Sequence, residues 1–151
     1  MKLSTIIGKI IYIFAYPAIC LIVWRSRRAY VAVVYDKKLL VTKNWLSIQN
    51  IWRLPGGGLH KHETFIQGAL RELYEETGIK LHEDSLSVLT EPTMHEKHFE
   101  YQIFLANIDA SKTKLKLQKP EISEAEFVEI DKLRKTPSQI EYEVQKILNI
   151  I

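Results

Sequence analysis

Cysteine is almost missing from this chain of 151 residues: Cys20 stands alone. A lone cysteine cannot close an intrachain disulfide and cannot by itself build a cysteine zinc site. The chain therefore fits a reducing, cytosolic setting. An excess of one charge sign is missing too. Lys and Arg number 21 against 18 Asp and Glu, a formal net charge of +3. So weak a basic balance does not demand a nucleic-acid partner, although it is compatible with an anionic substrate. No internal repeat and no low-complexity tract occurs. What is present is 46% apolar and 26% charged residues, enough for one packed domain and too apolar for a disordered chain.

One long hydrophobic run breaks this balance. Ile6 to Trp24 is interrupted seriously only by Gly8, Lys9 and Pro17, and Arg25, Arg27 and Arg28 follow it. As a helix it would be roughly 28 Å long, close to the thickness of a bilayer core. Lys9 and Pro17 count against a clean span. The order of apolar run then basic cluster, with no small-residue cleavage site, counts against a signal peptide. Two readings remain open: membrane attachment, with the Arg cluster keeping the following domain on the cytoplasmic face, or a packing helix set against its own domain or the second subunit of a homodimer. The expected division is residues 1–28 as this segment and 29–151 as the folded domain.

From Ala29 the pattern changes to short strands. Val31, Val33 and Tyr35 alternate with Ala32 and Val34. Asp36-Lys37-Lys38 reads as a turn and Leu39 to Thr42 as the returning strand, which is a hairpin signal. Trp52 to Leu54, Leu86 to Leu89, Phe99 to Ala106 and Glu126 to Ile130 read as further strands. Phe65 to Thr77 and Gln139 to Leu148 read as helices. The mixture predicts an α/β (α+β) fold with a mixed sheet between helices.

The first of these helices carries the chemistry. Thr64 is a good N-cap with Gln67 three residues on, as a capping box requires, and Gly78 suits the left-handed position after the last turn. Glu72, Glu75 and Glu76 stand at i, i+3 and i+4 and so project from one face. Taken alone they fit either a solvated acidic face, with Arg71 offsetting Glu75, or a divalent-cation site, because Mg²⁺ prefers hard oxygen ligands shared with phosphate. Just upstream, Pro55-Gly56-Gly57-Gly58 lets backbone approach a ligand closely. It is not a Walker A loop, since no Gly-Lys-Ser/Thr follows.

Gly57, Glu63 and the run Arg71-Glu72-Leu73-Tyr74-Glu75-Glu76-Thr77-Gly78-Ile79 occupy 23 residues at fixed spacing. This resembles the Nudix hydrolase signature at every specified position. Trp52-Arg53-Leu54-Pro55-Gly56 resembles the family's entry into that box, and Glu121-Ile122-Ser123-Glu124-Ala125-Glu126-Phe127 its acidic stretch before the penultimate strand. The resemblance covers about Ala29 to Ile130. It implies an α/β/α sandwich. It implies Glu72, Glu75 and Glu76 as metal carboxylates, with the Gly57 carbonyl as a further ligand, Arg71 and Glu63 as their supports, and Mg²⁺ or Mn²⁺ as the ion. Arg53, Gly56, Gly57 and Gly58 are expected to contact substrate. Glu121 is the first candidate for a general base outside the box, with Glu124, Glu96 and Glu100 behind it. Many members carry Glu where this chain has His60 and Gly where it has His62, which bears on substrate preference. His62 would strain its turn if φ there is positive.

The expected reaction is hydrolysis of a phosphoanhydride bond in a nucleoside diphosphate linked to another moiety. Two alternatives stand beside it: a non-catalytic nucleotide-binding sensor, and a membrane-associated pyrophosphatase acting on a lipid diphosphate. Trp45, Trp52 and Tyr101 are candidates to stack on a base, although core or rim positions suit them better. His95 and His98 do not make a convincing zinc pair without a third ligand. Lys112, Lys114 and Lys116 alternate as on one face of a strand, where a solvated edge is the simpler reading than a phosphate contact.

Overall fold

The computed structural model describes residues 26–45, 51–95, 99–111, 113–117 and 119–151. Ile6 to Trp24, Glu96, His98 and Lys112 lie outside them, and with them the expectations of a membrane segment or packing helix. Among the described residues no helix is long and apolar enough to cross a membrane.

The hairpin forms where alternation predicts it. Strand β1 (Arg27–Tyr35) pairs antiparallel with β2 (Lys38–Asn44), Val34 opposite Leu39 and Tyr35 opposite Lys38. The two-residue connection holds Asp36 at φ 44° and Lys37 at φ 59°, the double positive φ of a type I′ turn that matches strand twist. A short strand, β3 (Gly56–Gly58), pairs antiparallel with β1. Then come helix α1 (Phe65–Thr77), β4 (Ser87–Val88), β5 (Thr93–His95), β6 (Phe99–Asn107) and β7 (Ile122–Glu129), followed by α2 (Ile130–Arg134) and α3 (Tyr142–Leu148). β6 runs parallel to β1 along eight paired residues. The sheet order is β4-β6-β1-β2-β7, with β3 on β1 and β5 on β6. Both pairing senses occur, so the sheet is mixed.

Alternation along β1 divides the core. Ala29, Val31 and Val33 face α1, where they meet Ala69 and Leu73. Tyr30 and Ala32 face the other side and pack with Tyr101, Ile103, Leu133, Val144 and Ile147. Helices on both faces of one sheet make the expected sandwich. Burial of these apolar side chains stabilises it at about 25 cal/mol per Å² removed from water.

Several boundaries differ from expectation. Trp52 to Leu54 is not a strand. Trp52 and Arg53 make isolated bridges to Ile140 and Thr42, and the strand forms one step later, in the glycines. The terminal helix starts at Tyr142, not Gln139, because Pro137–Gln139 forms a separate 3₁₀ turn. Lys114 and Lys116 lie in an irregular stretch, not a strand.

Candidate active site

Helix α1 is fixed at both ends by its own sequence. The Thr64 side chain accepts from Gln67 N at 3.3 Å, and the Gln67 side chain accepts from Thr64 N at 3.1 Å. Gly78, at φ 77°, donates its N–H to Tyr74 O at 2.8 Å. With rotation thus set, Ala69 and Leu73 enter the core. Glu72 and Glu76, one turn apart, turn toward the glycine strand and are buried. Glu75 stays at the helix edge with 37% of its side chain exposed.

The glycines explain how the carboxylates fit. A Cβ on Gly57 would lie 2.8 Å from both Cδ and Oε1 of Glu72, so only glycine leaves room for that carboxylate against β3. At Gly56, φ is 153° and a Cβ would strike the Ala29 carbonyl and Tyr30. The Gly56 N–H donates to Glu76 Oε2 at 3.1 Å. Gly57→Ala should therefore spare the fold and disturb the site. We expect the melting temperature to fall by less than about 4 °C and turnover to fall by roughly tenfold or more. Gly56→Ala, by contrast, meets backbone and should visibly destabilise the protein in the same melting experiment.

Arg71 ties the acidic groups together. Its Nε and one Nη donate to the two oxygens of Glu63 at 2.9 Å each, and the latter also donates to Gly58 O at 2.9 Å. The other Nη lies 2.7 Å from Glu72 Oε1 and 3.4 Å from Glu75 Oε2. Glu63 also accepts from His60 N at 2.8 Å. The Arg71 guanidinium in particular holds the Glu63 carboxyl down at about 2. His62, just before this knot, adopts φ 68°, the left-handed conformation that a non-glycine residue adopts at a cost.

From the other side Lys119 reaches in. Its ammonium contacts Glu72 and lies 3.1 Å from Glu75 Oε2. Desolvation lowers its proton affinity, but Glu72 and then Glu75 more than restore it, leaving its pKa raised. Burial pushes the Glu76 carboxyl up to about 8, against the pull of the Gly56 N–H; Glu72 pushes it up, and Lys119 and Arg53 draw it down.

These groups border a cleft of about 280 Å³ lined by Gly56, Gly57, Gly58, Glu72, Glu76, Lys119 and Glu121. The cleft is also lined by Arg28, Arg53 and Glu141. Arg53 is clamped by Glu141, with Nε donating at 2.9 Å and Nη2 to the second oxygen. Arg28 lies over Phe99, 4.8 Å from the ring centroid, and its Nε is buried without a hydrogen-bond partner.

The structure thus brings together Gly56–Gly58, Glu63, Arg71, Glu72, Glu75, Glu76, Arg53 and Glu121. Glu124 pairs instead with Lys43 at 2.9 Å, and Glu100 with Arg27 at 3.7 Å; neither lines the cleft. His95 stacks on Phe99, Trp52 sits under Lys43, and Tyr101 is core. Trp45 pins the loop before β7, its indole donating to Pro120 O at 2.6 Å. Among the described residues no three acidic, His or Cys side chains gather around one point; Glu72 and Glu75 share Lys119 while Glu76 is held by Gly56. Sequence reading missed Lys119 and Arg28. Lys119 stands two residues before the chosen Glu121, and Arg28 shares the Tyr30 face of β1, so alternation was the available signal.

A NUDIX domain model matches residues 25–146. The chain belongs to the NUDIX family. NUDIX proteins generally use divalent metal ions. Among relatives, an m7GpppN-mRNA hydrolase of Xenopus laevis is 42% identical over 57 residues, 36% of this chain and 19% of that protein. An RNA pyrophosphohydrolase of Bartonella henselae is 33% identical over 98 residues, 64% of this chain and 49% of that protein. The chain spans less than half the length of these curated relatives. The crystal structure of a MutT NUDIX hydrolase from Burkholderia pseudomallei superposes with a TM-score of 0.69 at 21% identity, covering 83% of this chain and 96% of that one. That similarity shows a shared NUDIX fold.

Proposed function

We propose that this chain hydrolyses a phosphoanhydride bond in a nucleotide-type substrate with the help of Mg²⁺ or Mn²⁺. The observation that carries the reading is the seating of two buried carboxylates, Glu72 and Glu76, against a strand of three glycines at the mouth of a cleft. A carboxylate is costly to bury without a partner. Here a cation already stands in: the Lys119 ammonium sits between Glu72 and Glu75, where hard oxygen donors would equally suit a divalent ion. Glu72, Glu75, Glu76 and the Gly57 carbonyl are the groups that would hold it. Once bound, such an ion neutralises phosphate charge and acidifies a water.

The chain's own residues supply the rest. Arg71 and Glu63 fix the rotamer of Glu72, so little reorganisation accompanies reaction. Gly58, with open space where a Cβ would stand, would let the diphosphate approach backbone. Arg28 and Arg53 both line the cleft, and because the Arg53 charge is largely spent on Glu141, Arg28 is the first candidate of the two to meet a phosphate. Water attacks one phosphorus, the bridging P–O bond breaks, and the two products leave as separate phosphates. Glu121, which lines the same cleft, is the carboxylate outside the helix that would accept the water proton.

The test is a substrate panel on the purified full chain with Mg²⁺ and with Mn²⁺. It contains 5′-triphosphorylated RNA, capped RNA, ADP-ribose, nucleotide sugars and nucleoside triphosphates. The relatives' names make the RNA ends the first to try. We expect cleavage of at least one, stopped by EDTA and by Glu72→Gln. Cleavage of none, or cleavage indifferent to EDTA, contradicts the reading and favours a binding domain.

A further inference from the structure

We propose that Lys119 is a resident counter-cation of the carboxylate site, holding the place of the divalent ion and competing with it. The inference deepens the function proposed above and rests on it.

The geometry is specific. Glu72 and Glu75 are shared by two cations of different character. Arg71 is locked in place by three further contacts, two with Glu63 and one with Gly58 O. The ion pairs of Lys119 among the described residues are to Glu72 and Glu75. Ammonium is a compact point charge with rotatable donors on a flexible stem, so of the two it is the one that can be exchanged. Nor is Lys119 a loose surface chain that happens to fall there. Ile122 N donates to Lys119 O at 3.1 Å, and Trp45 holds the next two residues through Pro120 O and Glu121 O. The end of β2 thus aims this turn at α1. Every carboxylate of the helix face takes part, because Glu76 also lies within electrostatic reach of Lys119.

The consequence follows from linkage. Ionised carboxylates crowded on one helix face, Glu72 and Glu75 first of all, repel one another. Lys119 relieves that repulsion when no metal is present and thereby stabilises the empty protein. A divalent ion entering the same notch must displace the ammonium, so its apparent affinity is lowered by whatever Lys119 contributed. The displaced ammonium remains on the cleft wall beside Gly56–Gly58, where a substrate phosphate can receive it. A lysine with a merely structural role would have the opposite signature: its loss would loosen the site and weaken metal binding.

The experiment titrates Mn²⁺ alone into the full chain and follows free Mn²⁺ by electron paramagnetic resonance. Wild type, Lys119→Gln and Lys119→Arg are compared, each also melted in EDTA and in saturating Mn²⁺. We expect Lys119→Gln to bind Mn²⁺ roughly tenfold more tightly, while Lys119→Arg, which keeps the charge, stays near wild type. In EDTA Lys119→Gln should melt below wild type, and saturating Mn²⁺ should close most of that gap. Unchanged or weaker Mn²⁺ binding by Lys119→Gln, with normal binding by wild type, overturns this inference alone. Failure of wild type to bind Mn²⁺ overturns the metal site and this inference with it. If Lys119→Gln does not fold in EDTA, Lys119→Arg decides: Mn²⁺ binding as tight as roughly tenfold above wild type, despite the retained charge, rejects competition.

Discussion

Glu76→Gln will cost turnover on the order of 10²- to 10³-fold and yet make the metal-free protein harder to unfold at pH 8. Both results come from one placement. The side chain is buried beside Glu72 and its pKa is pushed up to about 8, from an ordinary value of 4.5. Between those two values the folded state holds a proton that the unfolded chain releases. Folding therefore loses stability as pH rises from about 4.5, and the loss is complete once pH passes about 8. Gln keeps the acceptor for the Gly56 N–H and carries no charge, so the variant escapes this loss. In EDTA the stability difference should be near zero at pH 4.5 and reach on the order of 4–5 kcal/mol in favour of the variant at pH 8 to 9. Urea melts across that range provide the check. A site that stores unfavourable charge until its ligand arrives should show this opposition of stability and activity. A variant that is less stable than wild type at pH 8 in EDTA would contradict the placement.

Arg71→Met should have the largest effect on folding of any single substitution in the site. The guanidinium spans Glu63, Glu72 and Glu75, whose carboxylates lie at 13%, 6% and 37% side-chain exposure. Removing it leaves the enclosed Glu63 without its partner and Glu72 with Lys119 alone, which costs about 3–5 kcal/mol. Lysine should rescue poorly, because one ammonium cannot reproduce the fork that meets both oxygens of Glu63 and the Gly58 carbonyl. The deficit should itself depend on pH. In wild type the Glu63 pKa is lowered to about 2, so its contribution is fully present above about 4.5 and disappears as pH falls toward 2. The gap between wild type and Arg71→Met should accordingly narrow over that interval. A gap below about 1 kcal/mol at pH 7 would show that Arg71 is a dispensable surface pair.

The helix and its charge face were legible in sequence because short-range rules specify them. Thr64, Gln67 and Gly78 mark the ends of α1, and the spacing of Glu72, Glu75 and Glu76 sets their common face. The β1–β2 hairpin was legible for the same reason, alternation bounded by a turn. Strand β3 was not. Glycine has little intrinsic preference for strands, and Gly56–Gly58 is extended only because β1 offers an edge and Glu72 needs the space where a Cβ would be. Lys119 and Arg28 escaped notice because each reaches the cleft through tertiary packing, one from the turn before β7 and one from the first strand. A helical reading of the acidic residues alone also could not tell that Lys119 would sit between two of them while Glu76 turned to Gly56.

The most direct test is anomalous diffraction from crystals grown with Mn²⁺ and a non-hydrolysable diphosphate analogue. The account predicts a Mn²⁺ peak within coordinating reach of Glu72, Glu75, Glu76 and the Gly57 carbonyl, with the Lys119 ammonium moved off Glu72 and a phosphate oxygen completing the shell. A Mn²⁺ peak elsewhere, or an analogue bound with Lys119 still seated between Glu72 and Glu75, would contradict it.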